Sequence, residues 1–67
     1  MDICLKFGRR VKKTRKDMGL RQEALAHEAD SNRTYISDVE RGTRNPSIEV
    51  VERIARALNV TMGSLLD

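Results

Sequence analysis

Cys4 is the only cysteine in a chain of 67 residues, so no internal disulfide can hold the fold together. A domain this small is marginal, because its surface is large for the volume it buries. Small unstapled scaffolds rely on efficient helix packing or on self-association. A metal would have to be assembled from Cys4, His27 and carboxylates scattered along the chain, and no ligand spacing resembles a zinc or iron site. The expectation is therefore a single all-α domain over residues 1–67, completed by self-association, with no metal and no cofactor. Cys4 reads as a small hydrophobe rather than a reactive thiol, since no base or second cysteine lies near it in sequence.

Almost nothing in the chain alternates with period two, which argues against a sheet. No repeat or low-complexity stretch interrupts it. Gly8, Gly19, Gly42, Gly63 and Pro46 punctuate it into helical pieces. The first helix is predicted over about Asp2 to Met18. Phe7, Val11 and Thr14 share one face, Ile3 lies a turn earlier, and Gly19 is the stop. A second, short helix starts near Gln22 with Leu25, Ala26 and Ala29 inward. Asn32 caps a third that runs to about Arg41 and closes at Gly42. Ser47 caps a fourth over Ile48 to Leu58, with Val51, Ile54, Ala55 and Leu58 inward. Asn59 is placed to end it in a left-handed conformation. Thr61 caps a last turn carrying Met62, Leu65 and Leu66.

The segment "SNRTYISDVERGTRNPS", Ser31 to Ser47, carries most of the chemistry. On a helical wheel Ile36, Val39 and Glu40 fall on one side, and Arg33, Thr34, Ser37, Asp38 and Arg41 on the other. Tyr35 sits at the boundary. The outer set suits the major groove: Arg pairs bidentately with guanine, Ser and Thr donate or accept, Thr and Tyr touch thymine methyls, and Asp accepts from cytosine N4. Arg33 and Thr34 lie at the helix end that enters the groove in a helix-turn-helix. Glu40 faces inward, where a carboxylate needs a partner. Arg15, on the first helix, is the natural one, and the pair would orient helix one against helix three.

Charge adds to this. The net charge is only +3, but Lys6 to Lys16 holds seven basic residues and no acidic one. Such a run is either a solvated face or a footprint for a polyanion. No apolar run approaches the roughly 18 residues of a membrane span. "MDICLKFGRR" lacks the order of a signal peptide, so the expected setting is the cytoplasm.

"GLRQEALA", "YISDVERG" and "RNPSIEVVERIARAL", in that order and spacing, resemble the Cro/CI-type (Xre-type) helix-turn-helix regulators of bacteria and phages, over roughly Phe7 to Leu66. "NRTYIS" followed by "ERGTRNPS" is most similar to the controller proteins of restriction–modification systems. The resemblance implies a compact five-helix lambda-repressor-like domain. It implies a homodimer that binds palindromic double-stranded DNA operators and regulates restriction–modification genes, its own included. It places Arg33, Thr34, Tyr35, Ser37 and Asp38 at the bases, and Gln22, Arg41, Arg44 and Asn45 at the phosphates. Its helix-one to helix-three ion pair maps onto Arg15 and Glu40, and its dimer contacts onto Leu58 to Leu66. Three positions depart from the usual pattern: Asp30-Ser31-Asn32 replaces Gly-Val-Ser, Thr14 replaces a leucine, and Arg21 replaces a Ser or Thr cap.

Val60, Met62, Leu65 and Leu66 are more apolar groups than one final turn can hide, which marks them as a dimer surface. Two other readings compete. One is a general repressor of the same family, or an antitoxin-type module that binds a protein partner. The other is an enzyme, which the sequence disfavours. His27 is the only histidine, no phosphate-cradling loop or nucleophile–base set is present, and a chain this short has little room for a cleft.

Overall fold

The structure is a computed structural model that describes residues 2–67. Five helices follow one another, with no strand among the described residues: α1 (Ile3–Asp17), α2 (Gln22–Glu28), α3 (Arg33–Arg41), α4 (Ile48–Ala57) and α5 (Met62–Leu66). α1 packs on α3 and α5, α2 on α3 and α4, and α4 on α5. The chain is all-α and five-helical, as its periodicity predicts.

Each start is set by a side chain. Asp2 accepts from the Cys4 amide, Asn32 from Tyr35, Ser47 from Val50 and Thr61 from Ser64. α2 is the exception, because Arg21 in the cap position makes no side-chain cap bond. The ends of α1 to α4 share one device. Gly19, Asp30, Gly42 and Asn59 all take positive φ, between 54° and 77°. The amide beyond each returns to a carbonyl of the last turn: Leu20 to Arg15, Ser31 to Ala26, Thr43 to Asp38 and Val60 to Ala55. This double closure satisfies carbonyls that the helix leaves orphaned and reverses the chain in few residues. At Asp30 it makes the tight turn between α2 and α3. Arg53 of α4 adds a bond from Nε to the Ala29 carbonyl at 2.9 Å, which fixes the end of α2 from outside.

The core gathers one face from every helix: Phe7, Val11, Leu25, Ala26, Ala29, Ile36, Val39, Val51, Ile54, Ala55, Leu58 and Leu65. Each large side chain fully buried there is worth about 1.5–3 kcal/mol against exposure. Three sequence expectations need correction. Ile3, expected on the core face, is 55% exposed, because it lines an open pocket with Phe7, Pro46, Ile48, Val51 and Leu66 rather than the closed core. Gly8 and Gly63 do not break the chain into pieces but lie inside α1 and α5. Leu65, expected at a dimer surface, is 1% exposed and belongs to the monomer's own core.

Gly8 has a different task. A Cβ there would collide with the backbone carbonyl oxygen of Val39 and lie 2.8 Å from that of Glu40. Only a glycine lets α1 come this close to the end of α3. Gly8→Ala is expected to force the two helices apart and to destabilise the fold by at least about 1–3 kcal/mol. A lowered urea midpoint with an unchanged m-value would show it.

Candidate nucleic-acid interface

The position of α3 is fixed by a buried polar knot. Arg15 and Glu40 are each 7% exposed. Arg15 Nε donates to Glu40 Oε2 at 2.6 Å and Nη2 to Oε1 at 3.1 Å. Nη1 donates to the Leu20 carbonyl at 2.8 Å. Gln22 Nε2 donates to Glu40 Oε1 at 3.0 Å. The fork of one guanidinium thus meets a carboxylate bidentately while its third branch holds the chain between α1 and α2. Among the described residues no buried side-chain nitrogen or oxygen lacks a partner. The knot ties α1, the start of α2 and the end of α3 together, and so sets the angle of the helix-turn-helix.

This changes the reading of Gln22. Its amide is turned to Glu40, and an amide nitrogen carries two hydrogens. One N–H therefore remains for any outside acceptor.

The knot leaves the opposite face of α3 outward. Arg33 and Thr34 are exposed and Ser37 is half-buried. None of the three makes a side-chain hydrogen bond or ion pair among the described residues. Arg33 and Thr34 stand on the first turn, and Ser37 follows on the next. Ile36 and Val39, fully buried, hold this row rigidly from behind. Tyr35 is half-buried against the core, with the Arg44 guanidinium stacked 4.7 Å from its ring centre, a favourable cation–π distance.

Asp38 differs from the sequence expectation. Its carboxylate does not stand open toward a base. One oxygen is hydrogen-bonded to Arg41, and the other lies 3.5 Å from Arg44 Nη2. Arg41 is the last residue of α3 and Arg44 follows in the loop, so Asp38 gathers the two cations at that end of the helix. The Thr43 hydroxyl, bonded to the Asp38 carbonyl at 3.1 Å, steadies the same corner. Asn45 beyond it is exposed. A helix wheel shows that Asp38 faces outward with Arg41 in reach at i+3, but not that Arg44 folds back over it too.

The basic run is also partly structural. Arg15 is in the knot, and Lys13 pairs with Asp17 at 2.9 Å. Arg10 donates to the carbonyls of Ser64 at 3.1 Å and Asp67 at 2.7 Å, stitching α1 to α5. Arg9, Lys12 and Lys16 remain exposed, three and four residues apart on one side of α1. The sequence expectation missed Arg10 and Arg53 as helix-end donors. Their partners are backbone carbonyls, which leave no mark in residue type.

Near the C-terminus Val60 and Met62 are half-buried and border a shallow groove with Glu52, Arg56 and Asn59. Leu66 is 37% exposed. His27 is exposed on α2. No helix among the described residues is long and apolar enough to cross a membrane.

Known proteins share this fold. The helix-turn-helix family profile matches residues 11–65. The chain is 49% identical to the control protein C.BamHI of Bacillus amyloliquefaciens over 67 residues, 98% of this chain and 83% of that one. It is 42% identical to the control protein C.MunI of Mycoplasma sp over 65 residues, 96% of this chain and 88% of that one. The crystal structure of the restriction-modification controller protein C.AhdI from Aeromonas hydrophila superposes with a TM-score of 0.90 at 39% identity, covering 92% of this chain and 94% of that one.

Removing one member of the knot leaves a buried charge unanswered. Arg15→Met is expected to destabilise by about 3–5 kcal/mol, and the pair Arg15→Met with Glu40→Leu by much less. Denaturant unfolding of the two variants, with the helical far-ultraviolet signal as readout, measures the difference.

Proposed function

The chain belongs to the Cro/CI-type helix-turn-helix family, and we propose on that footing that it is a homodimeric, sequence-specific regulator of restriction–modification genes, its own included. One observation carries the reading. Arg33, Thr34 and Ser37 form an outward row without internal partners, on a helix whose orientation a buried ion pair fixes. Donors held rigidly at one spacing are what reading base edges requires.

In this mechanism the N-terminal half of α3 enters the major groove. Arg33 pairs with a guanine edge, while Thr34, Ser37 and the Tyr35 ring edge meet neighbouring bases. Arg41 at the end of α3, with Arg44 and Asn45 beyond it, holds phosphates, and the second N–H of Gln22 holds another across the groove. Those contacts position the domain and make binding salt-dependent. Val60 and Met62, with Leu66 at the edge, form the twofold contact. A dimer through that end sets two recognition helices about one helical turn of DNA apart and so selects a palindromic site. The site of action is the cytoplasm, where the DNA is, and the chemistry is binding rather than catalysis.

The duplex upstream of the chain's own gene, compared with a scrambled duplex of equal length, tests the reading. Arg33→Ala is expected to lose about 1–3 kcal/mol on the upstream duplex and little on the scrambled one. Arg44→Ala is expected to weaken binding to the upstream duplex and to lower its salt slope by about one, the mark of a phosphate contact. Equal losses for Arg33→Ala on both duplexes would make it a phosphate contact and remove it from base reading.

Met62→Glu introduces charge at the proposed twofold contact. It is expected to sediment as a monomer and to bind the upstream duplex far more weakly. A dimer of wild-type mass would exclude this surface.

A further inference from the structure

Asp38 is an acidic group in the middle of a surface that the proposed function lays against a polyanion. It follows Thr34 by one turn of α3 and precedes Arg41 by another, so it stands on the face presented to the groove. A carboxylate there repels phosphates and meets base edges that offer mostly acceptors: guanine N7 and O6, adenine N7, thymine O4. Only the amino groups of cytosine and adenine can donate to it. In the free protein its two oxygens are answered instead by Arg41 and Arg44, and Arg44 is further held over the Tyr35 ring.

We propose that Asp38 is a specificity-determining residue that acts by rejection. It holds Arg41 and Arg44 back from the phosphates, and it yields them without loss only where a base amino group takes their place at its carboxylate. The inference rests on the DNA-binding reading above. On a non-cognate duplex the two arginines either stay with Asp38, and phosphate contacts are forgone, or leave it and strand a carboxylate among acceptors. Either way non-cognate binding is weakened. On a cognate duplex an amino group in register donates to the carboxylate, and both arginines reach the backbone. Discrimination of this kind comes from a built-in repulsion rather than from an added attraction.

The variant that tests this is Asp38→Asn, measured on a duplex enriched by the wild-type protein from a random library and on a random duplex, at two salt concentrations. Glu23→Gln, which removes an exposed charge from the first turn of α2, calibrates simple charge removal. Asp38→Asn is expected to tighten random-duplex binding by roughly three- to tenfold, beyond the Glu23→Gln effect. It is expected to steepen the salt slope there by about one, and to leave the enriched duplex little changed, so that the specificity ratio falls. Asp38→Glu, which keeps the charge within reach of both arginines, is expected to keep the ratio. Tyr35 is the only tyrosine and there is no tryptophan, so emission of the free protein reports the Arg44 stack. It is expected to change in Asp38→Asn and not in Glu23→Gln. Equal tightening on both duplexes, or none, overturns the proposal. Failure of the wild-type protein to enrich any duplex would instead overturn the DNA-binding reading itself.

Discussion

Arg15 and Glu40 are 25 residues apart in sequence and meet in the interior of a domain with little interior to spare. A buried ion pair of this kind adds little net stability over a well-packed apolar pair. What it adds here is a defined angle. Helix packing alone permits a scatter of many degrees in crossing angle. Four hydrogen-bonding groups converging from α1, the α1–α2 connection, α2 and α3 permit one arrangement. The outward row of Arg33, Thr34 and Ser37 inherits that definition. A reading helix that rocked by a few degrees would misplace a guanidinium by more than a hydrogen bond tolerates.

The close approach of α1 to α3 at Gly8 and the repeated left-handed helix ends serve the same purpose. Neither contributes much burial. Both restrict where a short helix can point, and in a bundle with helices as short as α2 and α3 direction is the scarce quantity. Asp30 accepts a left-handed backbone that glycine adopts more easily. The bond from Arg53 to the Ala29 carbonyl then supports that turn from α4. Stability and site geometry are thereby carried by the same few residues, which is why most of the polar side chains inside the fold cluster at the helix-turn-helix.

Much of this was legible beforehand, for physical reasons. Helical periodicity marked Ile36 and Val39 as inward, and that forced Glu40 inward with them. A buried carboxylate requires a cation, and Arg15 was the one at the right place on α1. The caps Asn32, Ser47 and Thr61 announced themselves by residue type. What periodicity could not supply was lateral position. It gave Asp38 an outward direction with Arg41, three residues on, in reach as a local partner, but missed that Arg44 from the following loop closes over it as well. It assigned Ile3 to the core because angle gives the side of a helix but not whether the space on that side is closed over. It placed Leu65 with Val60, Met62 and Leu66 because all are apolar, whereas the turn of α5 sends Leu65 inward. Gln22 was read for an outside partner alone, whereas one N–H of its amide is taken by Glu40.

On the proposed reading a rigidly held α3 reads base edges, and a second copy reads the same edges on the other half-site. Selection of bound duplexes from a random library, at low and at physiological salt, tests it most directly, because phosphate contacts alone produce affinity that salt removes. The account predicts a palindromic motif with half-sites about one helical turn apart, enriched at both salt concentrations. Binding that shows no motif and disappears at the higher salt would contradict it, and would reduce this surface to a general polyanion contact.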